Sequence, residues 1–120
     1  METKQKQKPG QDEISQKEIL FRESFVFVLD IIQFTELLEK KKKYSLAKQL
    51  LTAGTLFGKI INEARYTENS DVFIGKIKKL IKAAHNIKYL LQLCKYSEGY
   101  PNPRDLLKNI DILIVKISDI

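Results

Sequence analysis

Apolar residues recur every three or four positions through most of the chain, and no stretch alternates apolar and polar residues as a strand would. This spacing predicts helices at residues 44–66, 70–97 and 103–120. The apolar face of the first is Leu46, Leu50, Ala53, Phe57, Ile60, Ile61 and Ala64. That of the second is Phe73, Ile77, Ile81, Ala84, Ile87, Leu91 and Cys94. That of the third is Leu106, Leu107, Ile110, Leu113, Ile114, Ile117 and Ile120.

Local signals mark the ends of these helices. We expect the helix at 70–97 to begin after Ser70, with Asp71 in its first turn, where a carboxylate complements the helix dipole. The sequence GYPN at 99–102 predicts a turn, and Asn102 followed by Pro103 is typical of an N-cap and a first helical residue.

A fourth helix is expected at about residues 24–41, with Ser24 as its N-cap. Its apolar residues fall on more than one side, because Phe27, Phe34 and Leu37 lie apart from the stripe that contains Ile31. A helix that is apolar on two sides is buried twice, and in a chain this short the second burial suggests a partner subunit.

Four helices joined by short loops predict an all-α fold, an antiparallel up-down four-helix bundle over residues 14–120. Residues 1–13 are rich in Lys and Gln and have no apolar periodicity, which predicts a flexible N-terminal tail. The total of 120 residues fits one domain.

Two glycines, Gly54 and Gly58, lie inside the helix at 44–66, although each costs about 1 kcal/mol relative to alanine. With Ala47 and Leu51 they form a strip of mostly small residues that would let a second helix approach closely. Two interpretations stay open: a close crossing within one bundle, or a contact between subunits.

The formal net charge of +6 is unevenly distributed. Residues 39–104 carry fourteen Lys or Arg against five Asp or Glu, whereas both flanking segments have a slight acidic excess. A basic surface of this kind is compatible with polyanion binding. The single cysteine, Cys94, favours a reducing cytoplasm, and we expect no signal peptide and no membrane span.

The segments SFVFVLDIIQ, LLTAGTLFGKIINEA and ENSDVFI resemble the four-helix-bundle family of 23S rRNA-intervening-sequence proteins. The family stretch reads roughly Q-L-x-R-S-G-T-S-I-G-A-N-I-x-E-A, followed by E-S-x-x-D-F-I. The matching residues are Gln49, Leu50, Gly54, Thr55, Gly58, Ile61, Glu63, Ala64, Glu68, Asp71, Phe73 (displaced by one place) and Ile74.

This resemblance implies an up-down four-helix bundle that assembles as a homo-oligomer, typically a pentamer. The family is also similar to the accessory proteins of diversity-generating retroelements, which are basic pentamers that bind nucleic acid and a reverse transcriptase. RNA or DNA binding follows by this analogy, and the alternative is a scaffold that contacts another protein. Lys59 stands where the family has a small residue, which makes this chain more basic.

The candidate nucleic-acid-binding residues are lysines on the polar sides of the second and third helices: Lys48, Lys59, Lys78, Lys79 and Lys82. Such lysines would contact phosphates without reading bases, although a solvated surface is the alternative interpretation. The candidates for close helix packing or an oligomer interface are Ala47, Leu51, Gly54, Gly58, Phe27 and Phe34.

Catalysis finds little support in the sequence. His85 is the only histidine, so a metal site would lack a second imidazole, and we expect no metal and no cofactor. Cys94 lies on the predicted apolar stripe, where a packed thiol is the default. We therefore expect a protein that is not an enzyme.

Overall fold

The fold is an all-α, antiparallel up-down bundle of four helices, as the apolar periodicity predicts. The computed structural model describes the backbone of residues 9–120 and the side chains of residues 16–120. The helices are α1 (Pro9–Lys40), α2 (Tyr44–Arg65), α3 (Ser70–Lys95) and α4 (Arg104–Ser118), and no strand occurs within these residues. Each helix packs against the next along the chain, and α4 closes the bundle against α1.

The core lies along the bundle axis and contains the predicted face of α2. Of the predicted face of α4, Leu107 and Ile114 are only half-buried and Ile120 is exposed, whereas the other four residues are buried. All seven apolar residues predicted for α2 are buried, and Phe57 is fully enclosed. In α3 the buried set is shifted. Leu80 is fully buried, whereas Phe73 and Ile77 are only partly covered. The first two turns of α3 therefore lie at the edge of the core.

The predicted start of the first helix at Ser24 is wrong, because α1 begins at Pro9. Of the predicted tail, residues 1–8 lie outside the described part of the chain, and Pro9–Glu13 belong to α1. Leu20 and Phe21 are buried in the same core as Ile31, so the apolar stripe continues through Ser24. Ser24 is fully buried, and its hydroxyl has no hydrogen-bond partner among the described residues. Ser24 has a residue type that is common at N-caps, and this led to the wrong prediction of a helix start inside the apolar stripe.

Phe27 and Phe34 do not form a second apolar side of α1, contrary to the prediction. Both are buried inside the single chain, and the Phe27 ring packs edge-on against Phe57 with 6.1 Å between ring centres. Their spacing relative to Ile31 and Leu38 is four, three and four residues, which places all four on one helical stripe. The other member of the expected second side, Leu37, is exposed.

The starts of α3 and α4 differ by one residue from the expected arrangement. Asn69, rather than Ser70, caps α3 by accepting a 3.0 Å hydrogen bond from the backbone N–H of Val72. Helix α4 begins at Arg104, one residue later than expected, so Pro103 rather than Asn102 is in the N-cap position. Asn102 Oδ1 accepts a 3.0 Å hydrogen bond from the N–H of Arg104. Gly99, in the turn before α4, has a φ of 79°, a conformation that glycine adopts without a steric penalty.

The four consecutive lysines at 40–43 comprise the last residue of α1 and the three-residue connection to α2. Only Lys40 lies within a helix, and Lys42 adopts the left-handed conformation with a φ of 63°. The Lys43 ammonium lies 4.7 Å from the centre of the Tyr100 ring, which ties this connection to the segment before α4.

Candidate functional site

A groove of about 680 Å³ lies between α2 and α3 and is lined by four lysine side chains. We call it the α2–α3 groove. Its apolar lining comprises Leu56, Ile60 and Ala83. Its polar lining comprises Lys59, Glu63, Lys76, Lys79, Lys82 and Asn86.

Helical spacing explains why these residues meet. Lys59 and Glu63 are four residues apart on α2, and Lys76, Lys79 and Lys82 follow one another at intervals of three on α3. Residues three or four apart share one face of a helix. Because α2 and α3 pack side by side, the two polar stripes line the same groove.

The structure brings three of the five candidate lysines together: Lys59, Lys79 and Lys82 line the α2–α3 groove. Lys48 is exposed on the same face of α2 as Lys59, eleven residues away, which corresponds to about 16 Å along the helix. Lys78 is also exposed, but it does not line the groove.

Sequence reasoning missed Lys76 and Glu63. Lys76 donates a 2.9 Å hydrogen bond to Glu63 Oε1, which joins α3 to α2 across the groove. The position of Lys76, three residues before Lys79, was a usable signal for the lysine. The contact with Glu63 depends on how the two helices pack and has no signature in the sequence.

The positive charge of the groove affects the pKa of its one carboxyl group, that of Glu63. The hydrogen bond from Lys76 lowers the pKa of the Glu63 carboxyl below its ordinary value, and the charges of Lys76, Lys59 and Lys79 add to this effect. Partial burial acts in the opposite direction. Three cations therefore act on one carboxylate, and a ligand in this groove would meet a positive potential.

The small-residue strip on α2 packs within the chain. A Cβ atom placed on Gly54 would lie 2.7 Å from Ile31 Cγ2, and one on Gly58 would lie 3.4 Å from Val28 Cγ2. Ala47 is buried and Leu51 is exposed. Of the two open interpretations, the structure supports the first, because Gly54 and Gly58 lie at a close crossing with α1 of the same chain.

The described residues include few other side chains that could act in catalysis or bind a metal ion. Burial raises the pKa of the Cys94 thiol to about 11, in agreement with the expected packed thiol. His85 is exposed, and residues 16–120 contain no group of three His, Cys, Asp or Glu side chains placed to hold a metal ion. Lys88 pairs with Asp111 of α4 at 2.8 Å, which joins α3 to α4.

The architecture is similar to that of a protein of unknown function from the S23 ribosomal protein family of Bacteroides thetaiotaomicron. The crystal structure of that protein matches with a TM-score of 0.79 and 21% sequence identity, over 87% of this chain and 96% of that chain. At this identity the likeness establishes the four-helix fold. No protein-family profile matches the sequence, and no curated protein matches it.

A bilayer span requires a helix that is both long and continuously apolar. Within the part of the chain from residue 9 onward, none of the helices combines the length and the apolar character needed to cross a membrane.

Proposed function

We propose that this chain is a cytoplasmic, non-enzymatic member of the 23S rRNA-intervening-sequence proteins, and that it binds the phosphate backbone of RNA or DNA in the α2–α3 groove. The sequence resemblance and the shared bundle fold support the family assignment. The observation that carries the binding function is the convergence of Lys59, Lys76, Lys79 and Lys82 on one groove that contains a single carboxylate.

The arrangement suits a backbone ligand better than an isolated anion. The lysines follow the groove along both helices, and Lys48 continues the α2 row for about 16 Å beyond Lys59. Ammonium groups placed in a row contact successive phosphates and fix the position of the strand without reading bases. Binding therefore depends on charge and weakens with salt.

The test is a triple substitution, Lys59→Gln, Lys79→Gln and Lys82→Gln, assayed by fluorescence anisotropy with labelled single-stranded RNA at several salt concentrations. We expect the affinity to fall by about tenfold or more at low salt. The slope of log K against log salt should become shallower by about 0.7 for each phosphate that no longer has a lysine partner.

The matched control is Lys40→Gln, Lys41→Gln and Lys42→Gln, which removes the same charge at the end of α1 and in the connection that follows it. If the loss of affinity is specific to the groove, the control binds RNA with an affinity close to that of wild type. Equal losses of affinity in the two triple variants, or an unchanged affinity in the groove variant, would contradict the proposal.

We also propose that the chain forms a homo-oligomer, with a pentamer favoured by the family resemblance, through the outer side of α1. Phe25, Val26 and Leu29 are exposed there, and Phe25 leaves 63% of its surface accessible. Large apolar side chains grouped on a surface are typical of protein interfaces.

The same residues support the alternative function, a scaffold that contacts a different protein. In that case the outer side of α1 would bind its partner with little dependence on salt, because the contact would be apolar. Neither form of this interface needs the α2–α3 groove.

A further inference from the structure

Glu63 is the one carboxylate among the residues that line the α2–α3 groove. Its Oε1 atom accepts the 2.9 Å hydrogen bond from Lys76. Within residues 16–120, Lys59, Lys79 and Lys82 form no ion pair, so three ammonium groups of the groove are open to a ligand and the fourth is engaged.

We propose that Glu63 limits the affinity of the groove for a nucleic-acid backbone by occupying Lys76 in place of a phosphate. This inference rests on the proposed function, since it names a residue that sets the strength of binding at that site. A phosphate that enters the groove must either displace Glu63 from Lys76 or bind without Lys76.

The placement of the pair supports this role. Lys76 is the most enclosed of the four groove lysines, with 24% of its side chain exposed, whereas Glu63 is 38% exposed. The Glu63 side chain is therefore the more accessible member of the pair, so a strand that enters the groove contacts it as well as Lys76.

The pair is also stable across the physiological pH range. Lys76, Lys59 and Lys79 keep the pKa of Glu63 below its ordinary value, so the carboxyl does not gain a proton near neutrality. Removal of the negative charge by substitution, rather than by mild acid, is what releases Lys76.

The test compares wild type with Glu63→Gln, which keeps the size of the side chain and removes its charge. Single-stranded RNA is titrated at several salt concentrations. We expect the affinity of Glu63→Gln to rise by about three- to tenfold at low salt, and the log–log salt slope to steepen by about 0.7, because Lys76 then binds one more phosphate.

The matched control is Glu23→Gln. Glu23 forms a 2.7 Å ion pair with Lys116 between α1 and α4, so this variant has the same change in net charge and also loses one exposed ion pair, away from the groove. We expect its affinity to stay within about twofold of wild type. An equal rise in affinity in both variants would overturn the inference, since the rise would then reflect net charge alone.

The double variant Glu63→Gln with Lys76→Gln provides the second test, because it restores the net charge of wild type. We expect it to bind within about twofold of wild type, since both members of a mutually neutralising pair are removed. A double variant that binds as tightly as Glu63→Gln would show that the released Lys76 is not the cause.

The two proposals fail in different ways. If wild type binds RNA with a salt-dependent affinity and Glu63→Gln binds equally, the role of Glu63 is wrong and the binding function remains. If neither wild type nor Glu63→Gln binds RNA at low salt, the binding function itself is wrong. Circular dichroism of each variant verifies that the helices are intact.

Discussion

At the scale of single residues, the glycine at position 54 shows how a missing side chain determines helix packing. Any Cβ there would lie 2.7 Å from Ile31 Cγ2, and Ile31 is fully buried. A β-branched side chain inside a core has little freedom to move aside. The cost of glycine in a helix is therefore offset by the close approach of α1.

This packing predicts different outcomes for alanine at three helical glycines. Gly54→Ala should lower the free energy of unfolding by about 1–3 kcal/mol, because overpacking outweighs the gain in helix propensity. Gly75→Ala should raise it by up to about 1 kcal/mol, since nothing lies within 4 Å of the added methyl group. Chemical denaturation measures both changes.

Gly58→Ala is the intermediate case, because its Cβ would lie 3.4 Å from Val28 Cγ2, at the limit of ordinary contact. We expect its stability to fall between those of the other two variants. A Gly54→Ala protein as stable as Gly75→Ala would show that the crossing with α1 is looser than the structure describes.

The buried thiol gives a second prediction at this scale. Burial raises the pKa of Cys94 from 9.0 to about 11, so the thiolate fraction near pH 8 falls about a hundredfold. Alkylation by iodoacetamide, followed by mass spectrometry, should be slower by at least that factor in the folded protein than in guanidinium.

The same shift has a defined sign for stability. Because folding favours the protonated thiol, Cys94 stabilises the fold fully below about pH 9, and this contribution decreases as the pH rises towards 11. Cys94→Ser should be less stable than wild type at neutral pH and lose less stability above pH 9. Rapid alkylation of the folded protein near pH 8 would contradict the buried position.

At the scale of the elements, the ends of α2, α3 and α4 were predictable to within two residues, whereas the start of α1 was not. Asn69 and Asn102 mark real helix starts, because the Oδ1 atom of each accepts a hydrogen bond from a backbone N–H group. Ser24 has the residue type of a cap but lies mid-helix, where only tertiary contacts reveal its role. The local preference of Ser24 for a helix start was therefore overridden by the burial of Leu20 and Phe21, which extends the helix towards the N-terminus.

The outer side of α1 provides the prediction at this scale. Phe25→Gln with Leu29→Gln should reduce self-association by at least about tenfold, as measured by sedimentation or light scattering, since large apolar anchors dominate the energy of interfaces. The control is Val72→Gln with Ile74→Gln, which removes two exposed apolar residues from α3. An unchanged oligomer mass in the α1 variant would exclude this face as the contact.

At the scale of the whole molecule, charge is segregated between the two sides of the bundle. Helices α2 and α3 carry nine Lys or Arg against two acidic residues, whereas residues 16–40 of α1 and helix α4 together carry six against seven. The excess of lysine in the middle of the sequence predicted this polarity. The Glu63–Lys76 pair was not predictable, because it depends on the relative rotation of two helices about their own axes.

The α2–α3 groove and the α1–α4 side lie on opposite flanks, since each helix packs against the next along the chain and α4 packs against α1. Copies that associate through α1 would therefore leave every groove open to solvent. A strand long enough to cross two subunits would gain avidity, because its second attachment becomes intramolecular. In such an assembly, tight binding depends on the length of the strand, and short oligonucleotides dissociate readily.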